Sequence, residues 1–185
     1  MRLDRGRCAL VLVDYQARLL PAIADGEAVL QEAMFVAGVA TALGVPVVGT
    51  EQNPEGLGPN VAALRALCAH TLAKRHFDAT ADGLIEYLHE HCGVPTQVVV
   101  AGCEAHVCLL LTALGLHAAG LQVAVVPTAC GSRSRADKAL ALQRLAMAGV
   151  VPISAETLAF EWLHCCDDPA FRSVLQRVKA RPPTL

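Results

Sequence analysis

A cysteine placed at the start of a helix is the first feature of this sequence that is suited to chemistry. Residues 98–100 are an uninterrupted run of valine, which favours a strand buried on both faces, and Gly102 ends it. An almost wholly apolar helix is predicted over residues 106–119, so Cys108 falls in or near its first turn. Free amide N–H groups and the helix dipole lower the pKa of a thiol there. The position predicts a nucleophile; the alternative is a packing residue, as most of the 8 cysteines will be.

Two further residues have types that a cysteine hydrolase needs. Such an enzyme requires a thiolate, a group that moves protons and donors for the oxyanion. Asp14 follows a buried apolar run, and its carboxylate could carry a proton to a leaving amine and later activate water. Lys74 ends a short predicted strand and would be a cation that favours the thiolate. The ordinary alternatives are an aspartate that caps a turn and a lysine that reaches solvent.

The elements that would position these residues alternate between strand and helix. The pattern predicts strands over residues 8–13, 45–49, 70–74, 96–101, 122–126 and 150–153. Helices are predicted over residues 27–43, 81–92, 106–119 and 134–148, after Ser154 and over 169–179, with a loop over 50–60. This alternation favours an α/β fold with a parallel sheet covered by helices on both faces, as a single domain over residues 1–185. Ligands of such sheets bind beyond the carboxyl ends of the strands. The polar residues at or just after predicted strand ends are Asp14, Glu51, Lys74, Cys108 and Thr128.

Composition narrows the classes of partner. The formal net charge is -2 and the basic residues are scattered, which disfavours nucleic acid as a partner. The apolar segments are too short for a membrane span, and the first seven residues do not resemble a secretory signal, so a cytoplasmic protein with reduced cysteines is expected. Only 17% of the residues are charged, which indicates surface buried in a homo-oligomer. The expected partners are therefore a small-molecule substrate and further copies of the chain.

Three motifs in chain order carry a family resemblance. They are Asp14-Tyr15-Gln16 after a strand, Lys74-x-x-Phe77, and a glycine six residues before Cys108. Together they resemble the isochorismatase-like cysteine hydrolases, which include nicotinamidases and N-carbamoylsarcosine amidases, over nearly the whole chain. The stretches T-E-Q-N-P-E-G-L-G-P, G-C-E-A-H-V-C-L and A-C-G-S-R-S are more specifically similar to the isochorismatase domain-containing proteins.

The resemblance implies a structure and a mechanism. It implies a three-layer Rossmann-like fold with six parallel strands and a catalytic triad of Asp14, Lys74 and Cys108. It also implies a cis peptide bond between Cys103 and Glu104, which outside proline costs about 3–4 kcal/mol. The oxyanion hole would consist of the backbone N–H groups of Glu104 and Cys108. The implied activity is hydrolysis of a small amide or related carbon–nitrogen bond through a thioester.

Departures from the family pattern limit the substrate. Nicotinamidases carry an Asp-x-His metal motif after the second strand, where this chain has Glu51-Gln52-Asn53 and no histidine. Neither a metal, nor any other cofactor, nor nicotinamide as substrate is therefore expected. Asp78 takes the place of a small residue after Phe77, and its role and that of Arg133 stay open. The residues expected to contact substrate are Gln16, Glu51, Gln52, Phe77 and His106.

Two other functions compete with hydrolysis. Cys108 could serve redox chemistry, although Asp14 and Lys74 would then have no clear role and no resolving cysteine is evident from spacing. The chain could also be a non-catalytic oligomeric scaffold that keeps the fold, which the three intact motifs disfavour. The end of the chain around residues 181–183 is expected to be frayed.

Overall fold

The computed structural model describes residues 1–181 and contains one six-stranded sheet in which every pairing is parallel. The strands are β1 (Cys8–Val13), β2 (Val47–Gln52), β3 (His70–Lys74), β4 (Gln97–Gly102), β5 (Gln122–Val125) and β6 (Val151–Pro152). The helices are α1 (Gly26–Ala42), α2 (Pro54–Leu57), α3 (Ala62–Arg65), α4 (Leu84–Cys92), α5 (Leu110–Ala118), α6 (Arg135–Met147), α7 (Ala155–Leu163) and α8 (Phe171–Ala180). The predicted α/β fold with six parallel strands is confirmed.

The sheet separates two hydrophobic layers. Alternate residues of β1 face opposite sides: Leu10 and Leu12 pack with α1, α7 and α8, whereas Val11 and Val13 pack with α4, α5 and α6. Every residue of β1 and β4 is buried, as a central parallel strand requires. Helices on both faces of a buried sheet are the three-layer arrangement that the sequence indicates.

The strand order places a switch in direction at the centre of the sheet. The order is β3-β2-β1-β4-β5-β6, so the chain first builds toward one edge and then, from β4, toward the other. The crevice between β1 and β4 is where such a sheet binds ligands. The two strands approach closely there: a Cβ on Gly102 would lie 2.6 Å from the Cβ of Val13. Asp14 follows β1 and Cys108 follows β4, so both border this crevice.

Two differences between the predicted and the observed elements lie close to the predicted site. Strand β2 continues to Gln52 because Thr50, Glu51 and Gln52 pair with the edge strand β3, so the following loop begins later than predicted. Cys108 lies in a π-helical turn, Ala105–Leu109, that precedes α5, whereas an ordinary helical first turn was predicted. Such wide turns are rare and are frequently found at functional sites.

Part of the sequence-based description stays untested. Within residues 1–181, no helix is long and apolar enough to cross a membrane. The frayed end predicted around residues 181–183 falls outside the described residues except for Arg181. The assignment of residues 1–185 to one domain and the cytoplasmic location stay predictions.

Candidate active site

The structure brings the three predicted catalytic side chains together at the carboxyl edge of the sheet. The Nζ atom of Lys74 lies 2.8 Å from Oδ2 of Asp14, and both side chains are 0% exposed. The thiol of Cys108 interacts with both, and this residue is 5% exposed. Oδ2 of Asp14 receives no well-aligned hydrogen bond, so charge attraction holds the pair. The Asp14 carboxylate can therefore accept a proton from the thiol.

A sharp turn after β1 positions the carboxylate of Asp14. Its backbone has a φ of 56°, in the left-handed region that costs energy for a residue with a Cβ. The Asp14 N–H donates to the carbonyl of Thr50 at 3.2 Å, and the Thr50 hydroxyl donates to Oδ1 at 2.7 Å. Residue 50 on the neighbouring strand thus fixes both the backbone and the side chain of Asp14.

The ammonium group of Lys74 is held by Gln52 from the adjacent strand. These two residues are paired in the register of β2 and β3, and Lys74 Nζ donates to Gln52 Oε1 at 2.6 Å. The amide nitrogen of Gln52 donates to the carbonyl of Arg75 at 2.7 Å, which fixes the orientation of the amide. Gln52 therefore orients the side chain of Lys74. The predicted contact between Gln52 and the substrate stays a prediction.

The expectation of a lowered thiol pKa is wrong. Burial, followed by the negative charge of Asp14, raises the pKa of Cys108 to about 12, although the positive charge of Lys74 acts to lower it. The helix-dipole argument fails because the thiol lies inside a π-helical turn, within the core layer beneath α5, and faces a carboxylate. Cys108 is consequently a neutral thiol at rest, with a base beside it.

The pH dependence of alkylation tests this electrostatic arrangement. We expect iodoacetamide to modify Cys108 slowly near neutral pH, with a rate that rises as pH increases toward 10 without reaching a plateau. Asp14→Asn should speed the reaction because it removes the charge that raises the pKa, and Lys74→Ala should slow it because it removes the charge that lowers the pKa. Peptide mapping by mass spectrometry separates Cys108 from the exposed Cys165 and Cys166. A midpoint below the ordinary thiol value of about 8.5 would contradict the geometry.

The expected cis peptide bond is absent. None of the peptide bonds in residues 1–181 is cis, so the bond between Cys103 and Glu104 is trans. The chain turns there through the left-handed conformation of Glu104, with φ 52° and ψ 57°. The N–H of Ala105 donates to the carbonyl of Gly131 at 2.8 Å. The assignment of the Glu104 and Cys108 N–H groups as the oxyanion hole stays a prediction.

Two predicted substrate contacts have structural partners of their own. Gln16 is fully buried, and its amide binds the backbone of Gln52 and the carbonyl of Gly58, which fastens the loop after β2. Glu51 lies on the opposite face of β2 from Gln52, where its carboxylate accepts from Arg65 at 3.1 Å and from a backbone N–H at 2.9 Å. These contacts satisfy both side chains without a substrate. Their assignment to substrate binding stays a prediction.

The other two predicted contacts are more accessible. Phe77 is 55% exposed and follows β3 by three residues. The ring of His106, in the same π-helical turn as Cys108, lies 3.0 Å from the Ser132 hydroxyl and 3.4 Å from a carboxylate oxygen of Glu104. Both side chains, like the half-buried Gln52, have solvent access, which a substrate contact needs.

The residues at the position of the nicotinamidase metal motif are not suited to binding a metal ion. The carboxylate of Glu51 is paired with Arg65, and the amide oxygen of Gln52 binds Lys74. Asn53 has a φ of 40° and binds Arg75. Within the described part of the chain, no group of three or more His, Cys, Asp or Glu side chains is arranged to hold a metal ion.

Sequence reasoning missed Thr50 altogether and assigned Gln52 to substrate binding rather than to the support of Lys74. Thr50 and Gln52 are two apart on β2 and therefore share the face that carries Asp14 and Lys74. This alternation was available in the sequence, but the segment reads as the beginning of a Gly- and Pro-rich loop. The ion pair between Arg133 and Glu104, at 3.0 Å, had no comparable signal because 28 intervening residues separate its members.

Comparison with known proteins identifies the family. The model of the isochorismatase domain matches residues 8–157. The chain belongs to the isochorismatase family. It is 34% identical over 177 residues to isochorismatase domain-containing protein 2A of Mus musculus, which covers 94% of this chain and 84% of the relative. The family resemblance stated from the motifs is thus confirmed.

Solved structures share the family's hydrolase fold. A chain described as MAR1 ribonuclease from Caenorhabditis elegans superposes with a TM-score of 0.91 at 27% identity, over 100% of this chain and 95% of that one. The YcaC gene product of Escherichia coli, described as an octameric hydrolase of unknown specificity, gives a TM-score of 0.87 at 24% identity. That match covers 96% of this chain and 90% of the other, and at this identity it concerns the fold alone.

Proposed function

We propose that this protein is a cysteine-dependent hydrolase of a small amide or related carbon–nitrogen bond. The observation that carries the proposal is the buried Asp14–Lys74 pair in contact with the Cys108 thiol, beside the switch point of the sheet. Burying an ion pair carries a desolvation penalty, and here the pair adjoins a nucleophile at the edge where parallel sheets bind ligands. Membership of a family that includes hydrolases supports the same conclusion.

In the acylation step, Asp14 accepts the thiol proton as the Cys108 sulfur forms a bond to the amide carbon. The resting thiol suits this role, because its raised pKa requires a base at the moment of attack. The oxyanion rests on the N–H groups of Glu104 and Cys108, and Lys74 compensates the negative charge that the sulfur and the carboxylate share. Asp14 then passes the proton to the leaving nitrogen as the carbon–nitrogen bond breaks, and a thioester remains.

In the deacylation step, water attacks the thioester carbon and gives a proton to Asp14. The carbon–sulfur bond breaks, the acid leaves, and Asp14 returns the proton to the sulfur of Cys108. The sum is one amide and one water converted to one acid and one amine. A single carboxylate therefore acts as base and acid in each half-reaction, which requires that it stay ionised and close to the sulfur between steps.

The competing functions have less support from this geometry. A redox thiol needs thiolate character and access, whereas burial raises the pKa of Cys108 and leaves it 5% exposed. An RNA substrate, as the description of the C. elegans chain suggests for that protein, is disfavoured by the formal net charge of -2. A non-catalytic scaffold would gain nothing from a desolvated ion pair next to a thiol.

The partners we propose are a small substrate and further copies of the chain. The octameric state described for the E. coli relative makes an assembly plausible for this fold. The outer face of α6 exposes Leu140 and Met147, the latter 83% exposed, which agrees with the low charge content.

Trapping the thioester tests the proposed function. Wild-type protein is mixed with a panel of small amides, quenched in acid within milliseconds to seconds, and analysed by intact mass and peptide mapping. We expect an acyl adduct on the peptide that contains Cys108 and its absence in Cys108→Ala. A background of Cys165→Ser with Cys166→Ser removes the two exposed thiols. Turnover of an amide without any Cys108 adduct, or an RNA cleavage that Cys108→Ala abolishes, would overturn the proposal.

A further inference from the structure

A second charged cluster, formed by Glu104, His106 and Arg133, lies at the beginning of the π-helical turn. The carboxylate of Glu104 has one oxygen 3.0 Å from Nε of Arg133 and the other 3.4 Å from Nε2 of His106. The Glu104 side chain is only 10% exposed, and its Oε2 atom has no aligned hydrogen-bond partner within residues 1–181. The other ring nitrogen of His106, Nδ1, lies 3.0 Å from the hydroxyl of the buried Ser132.

This cluster holds a backbone that is unfavourable by itself. A left-handed conformation costs a residue with a side chain roughly 1–2 kcal/mol, and Glu104 keeps it at the point where β4 leads into the turn that carries Cys108. The loop that contains Gly131 and Arg133 contacts the chain on both sides of Glu104. Gly131 donates to the carbonyl of Gly102 at 3.0 Å and accepts from the N–H of Ala105 at 2.8 Å, while Arg133 binds the side chain.

We propose that Arg133 and His106 are positioning residues that act through the Glu104 carboxylate. By fixing this carboxylate they fix the Glu104 peptide, and so aim its N–H at the oxygen on which negative charge develops. The inference rests on the proposed function, because it assigns a role within the oxyanion hole of that reaction. An oxyanion donor is effective only when it is held in place before the reaction, and a side-chain clamp on a strained peptide supplies that restraint.

Two reactions of Cys108 separate positioning from general damage. Acylation by p-nitrophenyl acetate forms a bond from sulfur to the carbonyl carbon, passes through an oxyanion and releases p-nitrophenolate. Alkylation by iodoacetamide displaces iodide from a saturated carbon and needs no oxyanion hole. Asp14 and Lys74 are the charges that act most strongly on the pKa of Cys108, so replacing Glu104 should change the alkylation rate little. Both rates are measured on the Cys108 peptide in the Cys165→Ser, Cys166→Ser background.

We expect Glu104→Gln and Arg133→Ala each to slow acylation by about 10-fold or more. Loss of a whole oxyanion donor lowers the rate by about 10²–10³-fold, which sets the upper limit of the effect. Alkylation should stay within about 2-fold of the wild-type rate. Arg133→Lys should recover part of the acylation rate, because an ammonium can still reach one carboxylate oxygen. The matched control is Arg135→Ala, since that arginine binds Asp25 at 2.7 Å instead.

The outcomes distinguish the inference from the function on which it rests. Equal acylation rates in wild type and in Glu104→Gln would overturn the positioning role and leave the nucleophile intact. A parallel fall in acylation and alkylation would also overturn it, because damage around Cys108 would then explain both. Wild-type protein that is alkylated at Cys108 but never acylated would overturn the proposed function together with the inference.

Discussion

Cys108→Ala is expected to reduce hydrolysis of any amide that the wild type turns over to the background rate, a loss of at least about 10⁴-fold. The thioester cannot form without the sulfur of Cys108, and neither Asp14 nor Lys74 can form the acyl intermediate in its place. The fold should be retained, because the substitution removes only the sulfur atom of one buried side chain. Steady-state kinetics with matched far-UV circular dichroism measures both expectations. Residual turnover within 100-fold of wild type would show that water attacks the substrate directly.

Asp14→Asn separates the two duties of the carboxylate. Amide turnover should fall about as far as in the alanine variant, because neither the thiol proton nor the leaving nitrogen has a partner. An activated ester needs no proton on its leaving group, and removal of the Asp14 charge lowers the pKa of the Cys108 thiol, so the variant should still be acylated. The acyl-enzyme should then accumulate, since water has lost its base. A normal rate of deacylation in Asp14→Asn would mean that another group activates water.

The sequence predicts the fold well because two strong periodic signals agree. Valine-rich runs such as residues 98–100 fit only buried strands, and the intervening helices have the lengths of parallel crossovers. Once the strands are parallel, their carboxyl ends must share an edge, which places Asp14, Lys74 and the turn that carries Cys108 at that edge. The geometric convergence of the site therefore follows from the pattern.

The electrostatics of the site did not follow, for a physical reason. Whether a thiol at a helix start has a raised or a lowered pKa depends on its depth and on the neighbouring charges, and sequence spacing shows neither. Here desolvation and the Asp14 charge outweigh the Lys74 charge. The conformation before the turn was misjudged for a similar reason. The left-handed Glu104 is in contact with Arg133, and the residues on either side of it bind the Gly131 backbone, both from a loop distant in sequence.

A further prediction, which concerns stability, follows from the buried ion pair. Lys74→Met should lower the free energy of unfolding by about 3–5 kcal/mol, because it leaves the Asp14 carboxylate buried without a compensating charge. The double variant Asp14→Asn, Lys74→Met should recover most of that loss. An asparagine carbonyl oxygen can still accept from the Thr50 hydroxyl, and methionine fills the volume of the lysine stem.

Urea unfolding at fixed protomer concentration measures these differences, provided that the dependence of the free energy on denaturant is the same in all variants. The matched control is Arg75→Met, which removes the next cation along the chain from an exposed pair with Glu55 and should cost less than about 1 kcal/mol. If the double variant is as unstable as Lys74→Met, lost packing rather than uncompensated charge is responsible. A stable but inactive double variant would show that the charges are kept for catalysis, because replacing a buried ion pair by neutral groups of similar volume is often neutral or stabilising.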